Sequence, residues 1–224
     1  MGTMISYKRP DGQSVNGYLA EPAQGAKAPG MVVLQEWWGL NDQIKSVAAE
    51  LAKDGYLALA IDLYNGNVAT TPDDARTYMG EVDGKEAIET LTSWIAWLKA
   101  NPKSTGKIGT VGWCFGGGWS LDASIAAPVD ATVVYYGRVN QPVDKLEHLK
   151  GPVLGQFATE DQWINPKMVA GFKEAMAKAG KSLEAYSYEA NHAFANPTGA
   201  SYDAADAKLA WQRTLAFFKA HLKG

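Results

Sequence analysis

The 224-residue sequence holds a single cysteine. An intrachain disulfide is therefore excluded, and nothing in the chain points to an oxidising compartment. No Lys/Arg run occurs and the net charge is −3, which removes the electrostatic footprint of a nucleic-acid binder. No stretch approaches about 18 continuous apolar residues, so no membrane-spanning helix is expected. The first residues lack the apolar run of a signal peptide. Gly2 and Ser6 fit a myristoylation pattern formally. No polybasic patch follows them, and one acyl chain alone anchors only marginally. Histidine is scarce at three residues and arginine at four, and no metal site is apparent. The expectation is a cytoplasmic monomer with no nucleic-acid partner, no membrane partner and no cofactor.

What is present is ordinary for a globular protein, with 46% hydrophobic and 20% charged residues. A chain of this length can bury one good-sized core, and a single domain over 1–224 is expected. Ile5–Tyr7 and Ser14–Ala20 read as strands joined by a turn at Arg9-Pro10-Asp11-Gly12. Pro22–Gly30 reads as a loop and Met31–Gln35 as a buried strand. Asn41 or Asp42 caps a helix with apolar positions Ile44, Val47, Ala48 and Leu51, and Gly55 ends it. Further strands are expected at Tyr56–Ile61, Ile108–Trp113, Ala131–Tyr136, Val153–Ala158 and Leu183–Tyr188. Helices are expected at Pro72–Met79, Asp83–Ala100, Gly116–Ala127, after Asn165-Pro166, and at Tyr202–Leu222. Alternating strands and helices imply an α/β fold with a mostly parallel sheet, helices on both faces, and the opening hairpin as an antiparallel edge.

The cysteine stands in Gly112-Trp113-Cys114-Phe115-Gly116-Gly117, between a short apolar strand and a helix rich in small residues. A lone cysteine is most often a small buried hydrophobe. A glycine-rich strand-to-helix turn is often a phosphate cradle. This run fits neither phosphate motif, because Cys114 takes the place of the second glycine of GxGxxG and no Lys-Ser/Thr pair follows. Strand, Gly-x-Cys-x-Gly-Gly, helix is the layout of a nucleophile elbow with Cys for Ser. The turn would hold the thiol at the mouth of the sheet, beside a helix N-terminus that favours negative charge.

Loops that follow parallel strands gather at one rim. Asp161 comes three residues after the strand ending at Ala158, and His192 four after the strand ending at Tyr188. His148 lies in a charged stretch, and His221 suits the last turn of a helix. His192 alone sits in a rim loop. Cys114, Asp161, His192 is the chain order nucleophile, acid, histidine expected of α/β-hydrolases.

The chain resembles the dienelactone hydrolase (carboxymethylenebutenolidase) family of that superfamily. The resemblance rests on Gln35-Glu36-Trp37-Trp38-Gly39, the Cys114 elbow, Tyr135-Tyr136-Gly137, Glu160-Asp161 and His192-Ala193-Phe194. It implies a hydrolase of small lactones or esters. A free thiol is only a few per cent ionised near neutrality, so His192, oriented by Asp161, is expected to take its proton. The backbone N–H groups of Phe115 and Trp37 are the expected oxyanion donors. A thioester acyl-enzyme would form and water would cleave it. A carboxylate near a thiol opposes its ionisation. The resemblance gives Glu36 the role of keeping the thiol neutral at rest and sharing in its deprotonation.

The family holds a substrate carboxylate with two arginines. Arg76 matches one of them. The second position, four residues past the histidine, is Asn196, which cannot form a bidentate ion pair. Arg138, just beyond the Ala131–Tyr136 strand, is a candidate substitute charge, or else a structural residue. Trp37, Trp38, Trp113 and Trp163 fall in rim segments, where they line an aromatic pocket or simply pack. Trp38 and Tyr136 join Arg76, Asn196 and Arg138 as candidate substrate contacts. The alternatives to a lactone hydrolase are a broader carboxylesterase or thioesterase and a ligand-binding module without turnover.

Overall fold

The opening hairpin forms where its turn chemistry directs it. In the computed structural model, which describes every residue except Gln24, β1 (Thr3–Lys8) pairs antiparallel with β2 (Ser14–Ala20). Between them the Gly12 N–H donates to the Arg9 carbonyl at 2.9 Å, with Gly12 at φ +88°. The remaining elements are β3 (Ala28–Leu34), α1 (Asp42–Lys53), β4 (Leu57–Ile61), α2 (Pro72–Glu81), α3 (Gly84–Ala100), β5 (Ser104–Trp113), α4 (Phe115–Ala126), β6 (Ala131–Tyr135), α5 (Val143–Leu146), β7 (Val153–Ala158), α6 (Pro166–Lys178), β8 (Leu183–Tyr188) and α7 (Ala204–Leu222). Their strands form an eight-stranded sheet in the order β1-β2-β4-β3-β5-β6-β7-β8. β2 runs antiparallel to β4, whereas β3–β4, β6–β7 and β7–β8 are parallel. The fold is α/β, mostly parallel with an antiparallel edge, as the alternation of elements predicts.

The chain divides into two compact units, Met1–Thr110 and Val111–Gly224, with the boundary inside β5. In the first unit every residue of β3 and β4 is buried, as expected of parallel strands covered on both faces. α1 begins where Asn41 Oδ1 accepts from the Ile44 N–H, and it buries Ile44, Ala48, Leu51 and Ala52. α3 is capped by Asp83 and buries Leu91, Trp94, Ile95 and Leu98. The strand expected at Met31–Gln35 starts earlier, at Ala28. Its N–H donates to the Lys103 carbonyl at 2.9 Å, so the Pro29-Gly30 pair lies inside the strand. Gly30 is there for space, since a Cβ would come within 2.7 Å of Leu98 and Ile108 side-chain atoms. Gln24, within the expected Pro22–Gly30 loop, lies outside the described residues. Arg9 is buried and fixes the hairpin turn to α3. It reaches Asp11, Glu86 and Glu89 with its charge and Thr90 Oγ1 with a 3.2 Å hydrogen bond.

In the second unit, α4 is made of small residues and packs tightly. Ser120 Oγ donates to the Val133 carbonyl, Ser124 Oγ to the Ser120 carbonyl, and Thr132 Oγ1 to Ser124 Oγ, all within 2.9 Å. These bonds satisfy polar groups that burial would otherwise penalise. Val134, Leu146, Leu149, Phe157, Phe172 and Met176 form an apolar core. Leu146 and Leu149 come from the stretch whose charges suggest only a solvated face. The short α5 buries Leu146, and the turn after it buries Leu149 and leaves His148 exposed. Toward α7, the Tyr135 hydroxyl lies 2.6 Å from Thr214 Oγ1, and Gln156 bridges the Ala210 carbonyl and the Tyr188 hydroxyl. Burial pushes the Tyr135 phenol well above its ordinary range. No helix among the described residues is long and apolar enough to cross a membrane.

Candidate active site

Cys114 occupies the one-residue turn between β5 and α4. Its backbone sits at φ +56°, ψ −118°, where a non-glycine residue is strained. The strain is locked from both sides. The Cys114 N–H donates to the Tyr135 carbonyl at 3.0 Å, and the Cys114 carbonyl accepts from the Gly117 N–H at 2.9 Å. Gly112 is required because a Cβ there would collide with the backbone carbonyl of Gly116. The elbow expected from the sequence is thus explained by backbone crowding.

His192 Nε2 lies 3.0 Å from Cys114 Sγ, and His192 Nδ1 lies 2.6 Å from Asp161 Oδ2. The other carboxylate oxygen of Asp161 accepts the backbone N–H groups of Trp163 and Ile164, each at 2.9 Å. Asp161 is 2% exposed, so its position is set by these three contacts rather than by solvent. With Nδ1 facing a carboxylate, the neutral imidazole is held with its proton on Nδ1 and its lone pair on Nε2, toward the thiol. Such a set can take a thiol proton, keep the positive charge on the ring, and return the proton to another atom.

Two further residues next to this cluster carry left-handed backbone, Tyr136 at φ +34° and Ala193 at φ +68°. Together with Cys114 they are three of the four non-glycine residues of that kind among the described residues. Each costs about 1–3 kcal/mol, which the surrounding structure must offset. Tyr136 follows β6 and its ring lies 5.0 Å from that of His192 and 5.4 Å from Phe194. It is completely buried. Its ring therefore packs against the imidazole within the protein interior. The Trp163 ring lies 5.2 Å from His192.

The other sequence candidates fall as follows. Phe115 opens α4, directly after the thiol. Trp113 is buried and stacked on Tyr135 with centroids 5.2 Å apart, a packing residue. Arg138 reaches Asp122 at 3.2 Å, and Gln141 donates to the same carboxylate. Burial pushes the Asp122 carboxyl up, against the pull of Arg138 and Gln141. Arg138 is therefore engaged in a structural pair. Asn196 is buried, and its Oδ1 accepts from both the N–H and the hydroxyl of Thr198. The expected substrate contact is thus a buried side chain that organises its own turn.

In the first unit Glu36 is buried and follows β3, and its carbonyl accepts the Gly39 N–H at 3.1 Å. Trp37 and Trp38 are half-buried and meet edge to face at 5.4 Å. Arg76, on α2, is exposed, pairs with Asp73, and has its guanidinium 6.0 Å from the Trp37 ring centroid. A cavity of about 250 Å³ in this unit is lined by Arg9, Asn16, Asp62, Tyr64, Tyr78 and Glu86 among others. None of the sequence-predicted site residues lines it. No cluster of three or more His, Cys, Asp or Glu side chains suited to a metal ion occurs among the described residues.

Comparison with known proteins gives the family of the chain. The model of the dienelactone hydrolase family matches residues 15–222. A Saccharolobus solfataricus protein named "Putative carboxymethylenebutenolidase" is 32% identical over 93% of this chain and 95% of its own length. "Protein usf" of Aquifex pyrophilus is 33% identical over 99% of this chain and all of its own. The crystal structure of a "Putative Dienelactone Hydrolase" from Klebsiella pneumoniae superposes with a TM-score of 0.86 at 28% identity, covering 97% of this chain and 98% of its own. The chain belongs to the dienelactone hydrolase family, within the α/β-hydrolase superfamily.

Proposed function

We propose that this protein hydrolyses small lactones or esters with Cys114 as nucleophile, His192 as general base and acid, and Asp161 as the group that orients the imidazole. The observation that carries this reading is the unbroken line Sγ to Nε2 at 3.0 Å and Nδ1 to Oδ2 at 2.6 Å, set on a strained elbow. His192 takes the thiol proton, and the thiolate adds to the substrate carbonyl carbon. The carbonyl electrons move to oxygen, where the N–H of Phe115, and that of Trp37 by family resemblance, receive the charge. When the tetrahedral species collapses, the leaving oxygen takes the proton from His192, and a thioester remains on Cys114. Water, giving a proton to His192, then attacks the thioester and releases the acid and the thiol.

Glu36 is assigned the gating of the thiol by resemblance, its burial being compatible with a carboxylate that acts locally. The same reading takes 1–224 as one catalytic domain, monomeric and cytoplasmic. It needs no cofactor or metal.

The engagement of Asn196 by Thr198 favours a second, broader reading, a carboxylesterase or thioesterase without selectivity for a carboxylate-bearing lactone. Arg76 remains the candidate cation for such a carboxylate. Turnover of a dienelactone against neutral aryl esters separates the two readings. Hydrolysis itself is tested by Cys114→Ala, which should lower ester turnover by about 10³-fold or more with the fold intact. Wild-type turnover persisting in that variant would sink the assignment.

A further inference from the structure

We propose that Trp163 is the substrate-contact residue for the leaving group, and that it selects planar aryl or enol leaving groups over saturated alkyl ones. The proposal rests on the hydrolysis reading above for which part of the substrate faces the ring. Two aromatic rings pack against the His192 imidazole, Tyr136 at 5.0 Å and Trp163 at 5.2 Å. Tyr136 is completely buried, so nothing further can approach it. Trp163 is 70% exposed, the most open aromatic among the described residues. An indole left open forgoes most of the stabilisation that its large apolar surface would bring on burial.

The backbone that carries the ring is nevertheless held in place. The Trp163 N–H donates to Asp161 Oδ1 at 2.9 Å. Two residues on, Asn165 caps α6 by accepting from the Met168 N–H at 2.9 Å. The side chain thus springs from a segment fixed at both ends.

The chemistry decides what meets it. On collapse of the tetrahedral species, the leaving oxygen must come within hydrogen-bond reach of His192 Nε2 to accept its proton. Whatever is bonded to that oxygen then lies beside the imidazole, where the indole is the open apolar surface packed on it. A planar π system can stack there; a saturated alkyl group gains only its area of contact.

The test compares phenyl acetate with 2,2,2-trifluoroethyl acetate, which carry the same acyl group and both have activated leaving groups. Trp163→Ala should lower kcat/KM for the phenyl ester about fivefold, the scale of one aromatic pair contact. The trifluoroethyl ester should change by less than about twofold. Trp163→Phe should restore most of the phenyl ester activity. Equal losses on both esters, or no loss on either, would overturn the proposal. A second arm needs no turnover. In Cys114→Ala, calorimetric affinity for phenyl acetate should fall about fivefold when Trp163→Ala is added, with trifluoroethyl acetate unmoved. Unchanged phenyl ester affinity there defeats the Trp163 assignment. Absence of wild-type hydrolysis defeats the proposed function and leaves the binding result to decide the subsite.

Discussion

The Asp161 carboxylate divides its two oxygens between separate tasks: Oδ2 faces His192 Nδ1 at 2.6 Å, and Oδ1 accepts two backbone N–H groups of its own loop. The first task orients the imidazole and the second holds the carboxylate still.

Asp161→Asn separates the two tasks. The amide oxygen can keep the loop contacts to Trp163 and Ile164, which puts an NH₂ group toward Nδ1. The imidazole must then carry its proton on Nε2, where it cannot accept one from the thiol. We expect kcat/KM to fall about 10³–10⁴-fold with an unchanged thermal midpoint, read by ester kinetics and calorimetry. Near-normal activity would mean that another group orients His192.

Two glycines a few residues apart should respond in opposite senses to alanine. A Cβ at Gly112 meets the Gly116 carbonyl, which belongs to backbone and cannot move aside. Gly112→Ala should lose about 3 kcal/mol or more, or fail to accumulate folded. At Gly118, inside α4, a Cβ would meet Arg138 atoms at 3.5 Å, an ordinary contact. Gly118→Ala should gain about 0.5–1 kcal/mol from helix preference. Urea denaturation of the pair measures both signs.

The Arg9 guanidinium holds the Asp11 carboxyl below its ordinary range, helped by the Gln13 N–H. A depressed folded value means that the contribution is present above the unfolded value of about 4 and is lost as pH falls through the folded one. Asp11→Asn should therefore lower the denaturation midpoint at pH 7, and the gap should close as the pH approaches about 2. A gap that is constant with pH would assign the effect to turn geometry alone.

How far the sequence carried can be judged residue by residue. The buried strands are legible because β4 is an unbroken apolar run, and β6 and β7 are interrupted only by Thr132 and by Gly155-Gln156. Pro29 and Gly30 mislead, because residues that punctuate loops are here the second and third residues of β3, where Gly30 makes room for Leu98 and Ile108. α5 is hidden by its charges, since a four-residue helix with Asp144 and Lys145 beside its one leucine gives no period to read. Cys114, Asp161 and His192 could be grouped before any coordinates, because each follows a strand on the same rim. The support behind His192 could not. Tyr136 reaches the imidazole through a left-handed backbone that a Tyr-Tyr-Gly sequence does not announce, and Arg138 and Asn196 have partners, Asp122 and Thr198, that only the folded chain brings to them.

The φ of +56° at Cys114 sets stability and chemistry against each other. Glycine adopts that conformation freely, whereas cysteine must be forced into it. Replacing the whole side chain, Cβ included, by a hydrogen relieves about 1–3 kcal/mol and gives back part of it through a freer unfolded chain. Cys114→Gly should therefore melt higher than the natural protein while turning nothing over, by a net gain of about 1 kcal/mol. On the proposed function, the strained angle is the cost in stability of holding a thiol rather than a hydrogen atom at the head of α4.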